Sequence, residues 1–161
     1  MRQRLSIKGL CNTVLLGSVV LMARAEARRE LLASREDVWA FLAEPRHLAD
    51  WWPGIAAVEP DRRGLARGAR WHLRRGARPG LLRSAHTEST LLVRDVEEPR
   101  RLAWHLVCER LDVELELEVL TADRTRARLS VTGPFVLAFR RSLPATALER
   151  LYHLIQTAAA I

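Results

Sequence analysis

LAWHLVCERLDVELELEVLTADRTRARLSV, residues 102–131, alternates with a period of two through almost its whole length. Within it, Val113, Leu115, Leu117 and Val119 fall on one side, and Glu114, Glu116 and Glu118 on the other. That is the pattern of an antiparallel strand with one wet face. Leu102, Trp104, Leu106 and Cys108 make the same apolar face just upstream, and Glu109-Arg110 suits a two-residue turn that sets Cys108 opposite Leu111. A second hairpin, turning at Ala122-Asp123-Arg124, sets Leu117 opposite Leu129 inside and Glu118 opposite Arg128 outside. A slip of one residue in either hairpin would turn the charged set inward, so pairing and burial agree.

Working outward, residues 69–75 and 82–96 read as two further strands around a loop at 76–80. Their inward sets are Trp71 and Leu73, then Ala85, Thr87, Ser89, Leu91 and Val93. Residues 23–33 alternate Ala25, Ala27 and Leu31 with Glu26, Arg28 and Glu30, as a half-buried strand does. Ser34 followed by Asp37 opens a helix with Val38, Phe41 and Leu42 as its apolar stripe. Pro45 opens a second short helix, which Pro53-Gly54 closes directly after the pair Trp51-Trp52. A last helix is expected after Gly133-Pro134, kinked or broken at Pro144. Its apolar face is Leu148, Leu151, Tyr152 and Ile155, with Glu149, Arg150, His153 and Gln156 outside. The class is α+β: a strand, two short helices, six strands and a long helix, with a curved seven-stranded antiparallel sheet wrapped around the C-terminal helix.

The chain has 161 residues, enough for one domain with a real core. Hydrophobic residues at 48% and charged ones at 28% are ordinary for a globular protein. The formal net charge of +7 invites a nucleic-acid reading, but Lys8 is the only lysine among 26 basic residues. The arginines are scattered, with no tract longer than pairs such as Arg62-Arg63 and Arg140-Arg141, so nucleic acid is disfavoured as a partner. Cys11 and Cys108 do not make a disulfide framework.

Residues 1–21 form an N-terminal extension, and the domain runs over 22–161. A basic start, an apolar run and Ala23-Arg24-Ala25 follow the grammar of a secretory signal, with the apolar run too short for a stable membrane span. The other reading takes Met22 as the true start, because the strand pattern begins there with no linker. It is the preferred one, and it implies a cytoplasmic protein; a signal over residues 1–25 would imply a secreted one.

Trp51 and Trp52 beside the polar Arg46, His47 and Asp50 suggest the mouth of an apolar cavity. Thr87 and Ser89 on an inward face, among large aromatics, leave room that leucines would fill. A closed core with satisfied hydroxyls is the alternative. Chemistry is hard to assemble. His72, His86 and His105 share the outward parity, but His105 faces Leu92 and Glu114, which puts His86 about 20 Å away along its strand. No metal site is expected from them, and His47 and His153 read as surface residues. Ser89 and Cys108 are expected to face each other inside without a histidine nearby. Tyr152 is the one polar-tipped aromatic that could reach the cavity, as a hydrogen-bond donor or as simple packing with its hydroxyl at the rim.

The stretch ASREDVWAFLAEPRHLADWWPGI (33–55), the strand EEPRRLAWHL (97–106) and the closing LERLYHLIQTA (148–158) resemble the START/SRPBCC superfamily, in its polyketide cyclase/dehydrase and lipid-transport-like branch. The resemblance implies the helix-grip fold over residues from Met22 to Ala160. It also implies a cavity for lipids, sterols, polyketides or hormones under the C-terminal helix. Trp52 and Pro53 fall at the family's helix-to-strand turn and Trp104 at its inward strand aromatic. The expected ligand-binding set is Trp52, Trp71, Leu73, Thr87, Ser89, Leu91, Trp104, Leu106, Leu117, Tyr152 and Ile155. The expected function is binding or carriage of a small apolar ligand, with a polyketide cyclase/aromatase-type enzyme as the alternative. No cofactor is expected. The inward set carries almost no titratable residue, which favours binding over catalysis.

Overall fold

The computed structural model describes residues 22–76, 88–134 and 141–159, with side chains through Thr157. β1 (Met22–Leu31) is followed by α1 (Arg35–Ala43), a 3-10 turn (Pro45–His47) and α2 (Leu48–Trp51). Then come β2 (Ile55–Pro60), β3 (Arg70–Arg75), β4 (Glu88–Glu97), β5 (Arg101–Leu106), β6 (Leu111–Thr121), β7 (Arg124–Pro134) and α3 (Leu143–Ala159). The seven strands form one antiparallel sheet in the order β1-β7-β6-β5-β4-β3-β2. Register shifts in β2, β4 and β6 mark bulges, which bend the strands and strengthen their twist. Seven strands, two short helices after the first and a long helix at the end make the expected helix-grip fold.

The local signals act as the sequence suggests. The Asp37 backbone N–H donates to Ser34 Oγ at 3.1 Å, capping α1, while the Ser34 hydroxyl donates back to the Asp37 carboxylate at 2.6 Å. Trp52 caps the C-terminus of α2, and Gly54 takes φ +87°, a conformation that side chains disfavour. Gly133 on β7 serves a different need. A Cβ there would collide with Leu111 Cδ2 and press on the Arg110 carbonyl oxygen at 3.2 Å, so any larger residue would require the Leu111 side chain to move.

Both hairpin registers differ from the expected ones by two residues. Leu106 pairs with Leu111, so β5 and β6 are joined by the four residues Val107–Arg110, with Arg110 at φ 54°. His105 then faces Asp112 rather than Glu114, and Cys108 lies exposed in the turn instead of inside. Between β6 and β7, Leu115 meets Leu129 and Glu116 meets Arg128, with Thr121 paired to Arg124 around Ala122-Asp123. A two-residue slip keeps every side chain on its face, so alternation cannot detect it; the turns decide.

Other expectations also change. Gly133-Pro134 ends β7, and Pro144 is the second residue of α3, where its missing N–H is not needed and it does not kink the helix. His47 is half-buried, not a free surface residue. Its ring stacks on Phe41 at 4.3 Å, and Nδ1 lies 2.8 Å from the Phe41 carbonyl oxygen. On β1, Arg29 takes the inward parity and is half-buried against α3, where Tyr152 lies 4.3 Å under its guanidinium and Glu149 pairs with it. Glu149 thus belongs to the helix–sheet contact rather than to the open face.

α3 packs on β1, β7 and α2, whereas α1 and α2 lie over the rest of the inner face. One continuous core joins them, and all five tryptophans are in it. Among the described residues no helix is long and apolar enough to cross a membrane.

Candidate functional site

The interior is organised by three tryptophans. Trp51 and Trp52, 2% and 3% exposed, sit edge-to-face with each other at 5.7 Å between ring centroids. Trp104 of β5 meets Trp51 at 6.2 Å and Trp52 at 5.5 Å, again edge-to-face. Such geometry sets a positive ring edge against a negative face. The adjacent pair holds to the inner face of the sheet, and α2 exists to place it there.

Beside this cluster lies a void of about 10 Å3, lined by Leu42 of α1, Leu48 and Trp51 of α2, Trp71 of β3, Leu91 and Val93 of β4, and Leu102 and Trp104 of β5. It sits under the two short helices, and among the described residues none of α3 lines it. Pockets that hold small molecules usually measure about 300–1,000 Å3, so a ligand enters this interior only by displacing side chains.

Of the residues expected to bind a ligand, Trp71, Leu91 and Trp104 line the void, and Trp52 packs against Trp104 just behind it. Leu73, Leu106, Leu117 and Ile155 are buried in the same core away from the void. Tyr152 is half-buried under Arg29, also off its wall. Thr87 lies outside the described residues, as do Ala85 and His86.

Ser89 is 4% exposed, and its hydroxyl does not face empty space. It donates to Glu109 Oε2 at 3.1 Å, and Glu109 is also paired with Arg75 at the end of β3. The carboxylate comes from the β5–β6 turn. Sequence reasoning missed it because the two-residue turn placed Cys108, not Glu109, next to Ser89. Leu42, Leu48, Trp51, Val93 and Leu102 were missed on the void wall because periodicity marks a buried face without saying what the face meets.

Trp71 and Trp104 differ in one respect. The Trp71 Nε1–H donates to the Gly64 carbonyl at 2.7 Å. Trp104 Nε1 is buried and, among the described residues, has no hydrogen-bond partner.

A larger hollow, about 760 Å3, lies elsewhere and is lined by Arg28, Arg35, Arg100, Arg101, Arg126 and Arg128 together with Glu97, Glu116 and Glu118, and by Leu117 and Val119 of β6. Its arginines are matched by carboxylates: Glu26 for Arg28, Glu36 for Arg35, Glu97 for Arg100, Glu114 and Asp95 for Arg101, Glu118 for Arg126 and Glu116 for Arg128. The surface is a charge-balanced lattice, not an open cationic patch. No group of three or more His, Cys, Asp or Glu is placed to hold a metal among the described residues.

No curated protein matches the chain. Among solved structures, norcoclaurine synthase from Thalictrum flavum in complex with dopamine and hydroxybenzaldehyde superposes with a TM-score of 0.64 at 15% identity, covering 98% of this chain and 97% of that one. A protein from Nitrosomonas europaea matches with a TM-score of 0.64 at 17% identity over 86% of this chain and 97% of its own. A conserved protein of unknown function from Enterococcus faecalis matches with a TM-score of 0.63 at 19% identity over 87% of this chain and 75% of its own. At these identities the likeness is one of fold. The family described as polyketide cyclase / dehydrase and lipid transport matches residues 22–156. With that match spanning β1 to the last turns of α3, the chain belongs to the polyketide cyclase/dehydrase and lipid transport family.

Proposed function

We propose that this protein binds or carries a small hydrophobic molecule, such as a lipid or a polyketide, in the apolar interior between the sheet and the helices. The observation that carries the reading is the void at the Trp51–Trp52–Trp104 cluster, walled by apolar and aromatic side chains in a fold of the lipid-transport family. Trp51 stands on a four-residue helix stopped by Pro53-Gly54, so this part of the wall is held by packing and not by a long helix. Its displacement makes the room a ligand needs.

N-phenylnaphthylamine tests the reading. It is expected to bind at low micromolar strength, about −7 to −8 kcal/mol, and to quench tryptophan emission. Leu91→Ala enlarges the void; it should lower stability by about 2–5 kcal/mol and tighten probe binding. If neither the wild type nor Leu91→Ala takes up the probe, the interior is a packed core and the binding reading falls.

A second reading, a cyclase-type enzyme using the same interior, draws on the Glu109 carboxylate at the Ser89 hydroxyl. Under that reading Glu109→Gln abolishes turnover of a polyketide substrate while probe binding persists.

A further inference from the structure

We propose that the molecule held in this interior presents an acceptor oxygen without an attached hydrogen, as in a ketone, quinone, ester or ether, and that this oxygen takes the Nε1–H of Trp104. The inference rests on the binding reading above and names the ligand chemistry of the same site.

Two buried side-chain nitrogens lack a partner among the described residues, Arg35 Nε and Trp104 Nε1. Arg35 belongs to the charged hollow, where its guanidinium already pairs with Glu36 at 3.3 Å. Trp104 is different. It is 2% exposed, it lines the void, and every other described residue of the wall is Leu, Val or Trp, none of which carries a side-chain acceptor. Its edge-to-face neighbours Trp51 and Trp52 carry no side-chain acceptor, and an N–H over a ring is a second-order contact.

A buried donor left unpaired is destabilising, and buried polar groups in folded proteins are nearly always satisfied. Water does not resolve this one. A space of about 10 Å3 is at the lower limit for a water, and a buried water needs two to four polar partners where this wall offers a single orphan donor. A ligand acceptor does resolve it. Because the wall donates and does not accept, an alcohol or amide ligand would bury an unmatched hydrogen of its own, whereas a ketone or ether would not. The neighbouring Trp71 shows the satisfied counterpart, its indole N–H held by a carbonyl oxygen.

Fluorenone and fluorene, matched in shape and differing in the carbonyl, test this with the full-length protein. The preference for fluorenone over fluorene should fall on the order of tenfold in Trp104→Phe, which removes the N–H and keeps an aromatic ring. In the wild type, fluorenone should move one of the five tryptophan indole N–H proton signals downfield, and fluorene should not. The signal is assigned by its loss in Trp104→Phe, or by selective labelling if that variant does not fold. Equal discrimination in both proteins, or the same indole shift with both compounds, overturns the proposal while leaving apolar binding intact. Failure of both compounds to bind overturns the binding reading and this inference with it.

Discussion

Trp52 is the residue on which the inner wall turns. It ends α2, packs edge-on against both Trp51 and Trp104, and is 3% exposed. Truncating it removes a large apolar surface and leaves a hole that the sheet behind cannot collapse into. Trp52→Ala should therefore destabilise the fold by about 3–5 kcal/mol in urea unfolding. A loss under about 1 kcal/mol, the range of an ordinary surface change, would show that the ring contributes little. The pair also shows the limit of reading residues by their neighbours. Arg46, His47 and Asp50 made the stretch look like a rim, yet both rings are buried.

At the scale of elements, one side chain ties the connection between β2 and β3. The Asp61 carboxylate accepts from the backbone N–H of Arg70 and of Arg63, both at 2.9 Å. The bond from Arg70, then that from Arg63, together with the charges of these arginines, holds its carboxyl below the ordinary value of 3.8. A carboxyl with a lowered pKa in the folded state stabilises fully above its unfolded pKa, and that contribution disappears as pH falls through the folded value. Asp61→Asn should accordingly be less stable than the wild type at pH 7, with the gap closing below about pH 4. Denaturant unfolding at several pH values measures this. A gap that stays constant would mean that the charge does not pin the loop.

At the scale of the whole molecule, the helix-grip arrangement divides the inner face between two covers. α3 lies on β1 and β7 and is tied to β1 by Arg29, Glu149 and Tyr152, while α1 and α2 cover the aromatic void. β1 pairs with β7 over ten successive positions starting at Met22. We propose that the domain is complete from that residue, so a chain starting at Met22 should melt at the same temperature as the full chain. A marked drop in Tm would assign residues 1–21 a part in stability.

Alternating side chains and turn residues determined by themselves the order of elements, the two short helices and most strand faces, with Cys108, exposed in a turn, as an exception. The faces of β6 were never ambiguous, because Glu114, Glu116 and Glu118 cannot exchange places with Val113, Leu115 and Leu117 without burying charge. Tertiary structure alone decided what period two leaves open. It set the hairpins two residues from their expected pairing, brought Glu109 to Ser89, and put Arg29 under the cover of α3. It also decided how far the interior closes, since a void is the volume that side chains from five separate elements fail to fill. Periodicity tells each residue which way to point; only the packed whole determines what it meets.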